Sequence, residues 1–285
     1  MLGKLLKYEF KATARIFLLL YAALLVVAAF NALILPVNGN GFAGLLEKIP
    51  ALYSIIRSLS ILAYILVIAA VFIITTVIIV VRFYRMLGNE GYLWFTLPVT
   101  ANQHIISKLI VAFVWSLASM VAVALSIGLM TLPTGWVSEL WRVSEFLNEA
   151  MSYGLNLGLW LVCFSVLCFV SWLYGTLTYY VSMAIGPNFI KSRLGGSVLV
   201  YVIIYFIMQV LSTVFTLVFM GPLNAQVEII VSNSLAAVPN FVQLSSAIDQ
   251  FMLVSTIGLS VGLLALSAAF YFTTRYFITH RLNLT

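Results

Sequence analysis

Residues 58–81 read SLSILAYILVIAAVFIITTVIIVV, an uncharged run held between Arg57 and Arg82. A helix needs about 20 apolar residues to cross the ~30 Å hydrocarbon core of a bilayer, so this run predicts a transmembrane helix. Across all 285 residues, 64% are hydrophobic and only 8% are charged, whereas soluble domains carry about 25% charged residues. The chain is therefore predicted to be an integral membrane protein.

Five further apolar runs predict an all-α fold with six transmembrane helices in one domain, residues 1–285. The predicted spans are residues 16–35, 58–81, 109–132, 155–185, 197–220 and 250–274. Residues 221–249 form a predicted extracellular segment with an apolar stretch at 235–242. That stretch either lies on the membrane surface or dips back as short re-entrant helices.

The loop charges orient the chain. With a cytoplasmic N-terminus, the cytoplasmic segments hold 11 of the 14 basic residues and two of the eight acidic ones, a net +9 against −3 outside. Basic residues are retained on the cytoplasmic side of membrane proteins. Both termini are therefore predicted to be cytoplasmic. The total of +6 indicates a membrane surface as the partner, and no nucleic acid.

Catalytic and metal-binding groups are missing from the sequence. The only cysteines, Cys163 and Cys168, lie in an apolar run, and the only histidines, His104 and His280, have no acidic or thiol cluster near them. No predicted span carries an ionisable residue away from its ends, which disfavours proton-coupled carriers and intramembrane enzymes. No phosphate-binding G-x-x-x-x-G-K-[ST] loop is present. We expect no catalytic residue, no metal and no ATPase site in this chain.

The N-terminal residues 1–15 are predicted to form an amphipathic helix at the inner membrane surface. One face carries the basic side chains Lys4, Lys7, Lys11 and Arg15. Glu9 falls among the apolar residues of the other face, where an unpaired carboxylate is costly. One hypothesis pairs Glu9 with Arg82 or Arg85 of the first cytoplasmic loop. The alternative is that Glu9 reaches water.

Two cytoplasmic loops are candidate contact surfaces. In the loop 86–100, Gly88 and Gly91 break the helix, an aromatic element follows, and Pro98 ends it. Its aromatic side chains pack either on the lipid interface or in a groove of a partner protein. Thr100 with Gln103 predicts a capping box for the next helix. The shorter loop, residues 186–196, carries Lys191 and Arg193. It is either a second contact surface or a simple basic turn.

G-x-x-x-G occurs at residues 154–158 and 258–262. Small residues at this spacing let helices approach closely. We expect packing within the chain in preference to dimerisation.

Two stretches resemble a known family. LLKYEFKATAR (5–15) and NEGYLWFTLPVTANQHIISKLIVAFVW (89–115) are similar to bacterial type-2 permeases of ATP-binding-cassette (ABC) transporters. In that family a Leu-Pro-Val-Ser/Thr run leads into the third span, and here it reads Leu97, Pro98, Val99 and Thr100. The EGYL-x-FTLPV version resembles permeases of Gram-positive bacteria. The missing phosphate loop agrees with such a subunit.

The resemblance implies an exporter architecture in the bacterial cytoplasmic membrane. Residues 1–15 would be an elbow helix, and a second permease, identical or homologous, would complete the pathway. A separate ATPase subunit would bind ATP and Mg and dock on a coupling helix. The implied coupling-helix residues are Glu90, Gly91, Tyr92, Leu93, Trp94, Phe95, Thr96, Leu97 and Pro98.

The apolar interior favours a hydrophobic or amphipathic cargo. Antimicrobial peptides, lipids and drugs are the candidates, and peptide resistance is the family analogy. A stand-alone channel, scramblase or secondary carrier is the alternative. A membrane enzyme is the third reading, which the missing acid–base groups disfavour.

Overall fold

The computed structural model describes residues 2–34, 50–88, 100–132, 136–152, 154–190, 192–221 and 241–280. The helices are α1 (Leu2–Ile34), α2 (Pro50–Leu87), α3 (Ala101–Thr131), α4 (Trp136–Ser152), α5 (Leu157–Ile185), α6 (Arg193–Phe215) and α7 (Phe241–His280). A 3₁₀ turn (Gly186–Asn188) follows α5 and a π turn (Thr216–Met220) follows α6. These residues contain no strand. Six of the helices are long and apolar enough to cross a membrane, which confirms the predicted all-α, six-span fold.

Four of the six spanning helices, α1, α2, α3 and α7, are longer than the apolar runs that predicted them. Helix α1 has 33 residues without interruption, about 50 Å at 1.5 Å per residue. The predicted elbow and first span are therefore one continuous helix, and the expected boundary at Arg15 is not seen. The reason lies in the sequence, because no glycine or proline stands between residues 4 and 34 to end the helix.

The described chain divides into two compact units, Met1–Arg142 and Val143–Thr285. In the first unit, α1 packs against both α3 and α2, and α2 packs against α3. The contact core contains Leu24 and Ala28 of α1, Tyr64 and Val71 of α2, and Ala122 of α3. Side chains on the other faces of these helices, such as those of Leu18 and Leu66, are exposed, as expected of surfaces that face lipid.

In the second unit, α5 is the central helix and packs against α7 and α6. The start of α6 also packs against the 3₁₀ turn. A Cβ atom built on Gly196 would collide with the backbone carbonyl of Gly186, and one on Gly186 would collide with Ser197. Backbones therefore meet directly where α5 turns into α6, which only glycine allows.

The other end of α5 is fixed by polar groups. The side chain of Asn156 accepts a hydrogen bond from the amide of Leu159 at 3.1 Å and caps the helix. The carboxylate of Asp249 on α7 accepts hydrogen bonds from the indole N–H of Trp160 at 2.7 Å and from the backbone N–H of Asn156 at 3.2 Å. Negative charge at a helix N-terminus is favourable. Asp249 thus ties α7 to the first turn of α5.

Candidate functional site

Three charged side chains from three helices meet in the first unit. Glu9 of α1 is 3% exposed, and its Oε1 accepts from the Nζ of Lys108 of α3 at 2.9 Å. The other oxygen, Oε2, accepts from the guanidinium of Arg82 of α2. Lys108 is equally buried, whereas Arg82 is about one-third exposed. We call Glu9, Arg82 and Lys108 the ion triad.

The ion triad lies at the base of the loop that joins α2 to α3. Arg82 is five residues before the end of α2 at Leu87, and Lys108 is seven residues after the start of α3 at Ala101. A single carboxylate therefore holds the two stems of the loop and α1 together. The opposite charges stabilise one another in this position, because a single unpaired charge in an apolar interior would cost several kcal/mol.

A row of hydrogen bonds extends from the ion triad between the same helices. The indole of Trp115 donates to Thr13 at 2.8 Å, and its ring stacks on Phe17 with centroids 4.3 Å apart. Farther along, the hydroxyls of Tyr21 and Ser119 are 2.9 Å apart. We call the ion triad and this row the polar seam.

Helix α2 contributes two more hydrogen bonds to the polar seam, both to α3. The hydroxyl of Thr75 lies 2.9 Å from that of Ser119, and the hydroxyl of Tyr64 lies 2.9 Å from that of Ser126. Interhelical hydrogen bonds in membranes contribute about 0.6 kcal/mol each on average. The polar seam therefore fixes the register of the three helices and does not merely fill space.

The structure locates some of the sequence-predicted contact residues. Of the two arginines expected to pair with Glu9, Arg82 binds it, whereas Arg85 is exposed. Arg193 is the first residue of α6 and is half-buried. Lys191 and the predicted coupling helix, residues 90–98, lie outside the described residues. At the start of α3, the Thr100 amide donates to Oε1 of Gln103 at 3.3 Å, the reach-back arm of the predicted capping box.

No protein-family model, no curated protein and no solved structure matches this chain. The chain is an all-α, multi-pass membrane protein on the evidence of its own helices.

A partly open cavity of about 660 Å³ lies in the second unit, where α6 and α7 flank α5, and some of its lining side chains, such as those of Tyr205 and Leu211, are exposed. Tyrosines from two helices line one part of it: Tyr174 and Tyr179 from α5, and Tyr201 and Tyr205 from α6. The rings of Tyr179 and Tyr201 are stacked with centroids 5.2 Å apart. Volumes of about 300–1,000 Å³ and aromatic walls are typical of small-molecule sites.

Glycines provide part of the space in this cavity. Gly175 of α5 and both glycines of the second G-x-x-x-G motif, Gly258 and Gly262 of α7, line it. A Cβ atom built on any of the three meets no atom within 4 Å. The expectation that Gly258 and Gly262 bring helices of this chain close together is therefore wrong. They leave room where a side chain would stand.

Neither the role of Lys108 nor the cavity could be predicted from the sequence by hydropathy alone. Lys108 adjoins the predicted third span, residues 109–132, and so belongs to the 11 basic residues predicted on the cytoplasmic side. A signal for it exists in the spacing of His104, Lys108, Trp115 and Ser119, which share one face of α3. The described residues contain no cluster of three or more metal-binding side chains.

Proposed function

We propose that this chain is the permease subunit of an ATP-driven ABC exporter in a bacterial cytoplasmic membrane, with both termini cytoplasmic. It pairs with a second permease, the same or homologous, and a separate ATPase subunit supplies the energy. Three features support the proposal: the six apolar helices, the excess of basic residues on one side, and the resemblance of residues 5–15 and 89–115 to type-2 permeases.

The observation that carries the proposal is the ion triad. An ATPase that pulls on the loop between α2 and α3 must move the helices rather than the loop alone. Glu9 binds Arg82 on one stem and Lys108 on the other, so the two stems and α1 form one connected base. A displacement at residues 90–98 is then passed to three helices together, which suits a rigid lever between two packings of the permease pair.

The chemistry of the interior favours a hydrophobic or amphipathic cargo, such as an antimicrobial peptide, a lipid or a drug. The two fully buried charges of the first unit, Glu9 and Lys108, neutralise each other, and Glu9 also binds Arg82, so its carboxylate is not available to a naked ion. The helices between them present apolar side chains along most of their length.

The experiment is co-expression with an ATPase encoded in a neighbouring reading frame, followed by purification through a tag on this chain. We expect the ATPase to co-purify, and Trp94→Ala and Phe95→Ala to lower its yield or to uncouple hydrolysis from transport. Trp141→Ala is the matched control, because Trp141 is an exposed tryptophan on α4 outside the predicted loop. Full assembly and coupled turnover in both loop variants would contradict the coupling role. Transport by the chain alone in vesicles would favour a channel, scramblase or carrier.

A further inference from the structure

The cavity beside α5 combines an apolar wall with a short row of hydrogen-bonding groups. Along α6 the lining residues include Tyr201, Tyr205, Gln209 and Ser212, which recur at helical spacing on one face. The hydroxyl of Ser212 donates to the carbonyl of Gln209 at 2.9 Å, so its oxygen still has acceptor capacity. A molecule in the cavity therefore meets aromatic faces and a few polar atoms.

The wall of this cavity carries no charged side chain among the residues that the structure describes, although the whole chain carries +6. An ionised ligand would lose its hydration here without a compensating charge, which is costly. The wall is thus complementary to an uncharged molecule. Tyrosine rings accept flat ring systems by offset stacking, and the row on α6 accepts a polar group at one position of that molecule.

The three open glycines support an occupant rather than tight helix packing. Glycine is a poor helix former, and Gly175, Gly258 and Gly262 have no neighbour that requires its small size. What they do provide is volume inside the cavity. A leucine at any of these positions would project into that volume.

We infer that the cavity lined by Tyr179, Tyr201, Gln209 and Gly262 is a binding site for an uncharged, ring-containing amphipathic molecule. Its role as the site of the transported cargo rests on the proposed export function. Binding itself does not, since all the lining residues belong to one chain.

The test is saturable photolabelling of the purified full chain in phosphatidylcholine nanodiscs, without any ATPase. The probe is a diazirine-bearing steroid alcohol, which is uncharged, has fused rings and carries one hydroxyl. We expect labelled peptides from α5, α6 and α7, and competition by excess unlabelled steroid. Gly262→Leu should lower the saturable labelling about tenfold or more, because the leucine side chain would occupy the volume that the ligand needs. Leucine is a better helix former than glycine, so the helix itself is retained.

Two further variants keep the result interpretable. Gly128→Leu is the matched control, because Gly128 of α3 also has open space at its Cβ position but does not line the cavity; its labelling should equal that of wild type. Gln209→Leu keeps the volume and removes the amide, and we expect about a three- to tenfold loss, as for one hydrogen bond.

Absent or non-saturable labelling of the wild-type chain would overturn the inference. Such a result would mean that the cavity is filled by something else, for example an acyl chain, a helix of a second copy or residues 222–240. Equal labelling of wild type and Gly262→Leu would overturn the inference as well. Since the assay contains no ATPase, saturable binding with no ATPase association in the co-purification would reject the exporter and retain the site. The converse result would reject the site alone.

Discussion

The Nζ of Lys108 lies 2.9 Å from Oε1 of Glu9, although the two residues are 99 positions apart in sequence and both are almost fully buried. Burying each of these charges is favourable only with a partner of opposite sign, and each supplies one for the other. The pair therefore reports whether α1 and α3 are in their native register, and it can be tested by breaking either partner.

Glu9→Gln should destabilise the protein strongly. It leaves Lys108 buried without its carboxylate, a change that costs about 3–5 kcal/mol in other proteins. The measurement is the free energy of unfolding by SDS in mixed micelles. A cycle with Lys108→Met should give a coupling energy of about 0.5–3 kcal/mol. Glu145→Gln, on an exposed position of α4, is the control and should leave the stability unchanged. Wild-type stability in Glu9→Gln would mean that Glu9 is hydrated.

Two of the three members of the ion triad, Glu9 and Arg82, could be predicted from the sequence. Glu9 breaks an otherwise regular amphipathic pattern, and a misplaced carboxylate demands a partner, which is why Arg82 could be proposed. Lys108 escaped because hydropathy assigns a lysine at the edge of a span to the surface. The pairing depends on which face of α3 meets α1, and packing between distant segments decides that.

Trp115→Phe should cost about 0.6 kcal/mol, the average for an interhelical hydrogen bond in a membrane. It keeps the stack on Phe17 and removes the donor to Thr13. Trp115→Ala removes both and should cost about 2–3 kcal/mol, somewhat less than the ~3–5 kcal/mol for a fully buried ring, because Trp115 is half-buried. SDS unfolding measures both. Phe164→Ala, at an exposed ring of α5, is the control. Equal stabilities of the two Trp115 variants would show that the stack contributes nothing.

Asp249→Asn should loosen α7 from the N-terminal end of α5. The carboxylate accepts two hydrogen bonds, whereas an asparagine side chain presents one oxygen and one donor to the same two N–H groups. We expect a loss of about 1–2 kcal/mol in SDS unfolding. Gln250→Ala, the exposed neighbour, should have no effect. If both variants unfold alike, the contact of Asp249 with Trp160 is not a source of stability.

The six spans could be predicted because the length of an apolar run is a local property. The ends of the helices could not be predicted in this way, because charged and polar residues, such as several of those at 3–15, continue a helix beyond the hydrocarbon. The helix ends where a glycine or proline interrupts it. Helix α4 (Trp136–Ser152) could not be predicted for a related reason. It carries three glutamates and an arginine within 17 residues, so it fails any search for a span, although its apolar residues recur at helical spacing.

Gly196→Ala should be among the most damaging small substitutions in the chain. Its Cβ would be driven into the carbonyl of Gly186, an atom of the backbone that cannot turn aside. Relief requires the start of α6 to move away from the end of α5, and we expect a cost of about 3 kcal/mol, the upper range for overpacking. The neighbouring Gly195→Ala supplies a matched control. Its Cβ would meet only the hydroxyl of Ser192, an exposed side chain that can rotate, so this variant should keep wild-type stability or gain slightly from the better helix former. Size-exclusion profiles and SDS unfolding of the two variants, side by side, make the comparison. Equal behaviour would mean that the two backbones do not touch at this turn.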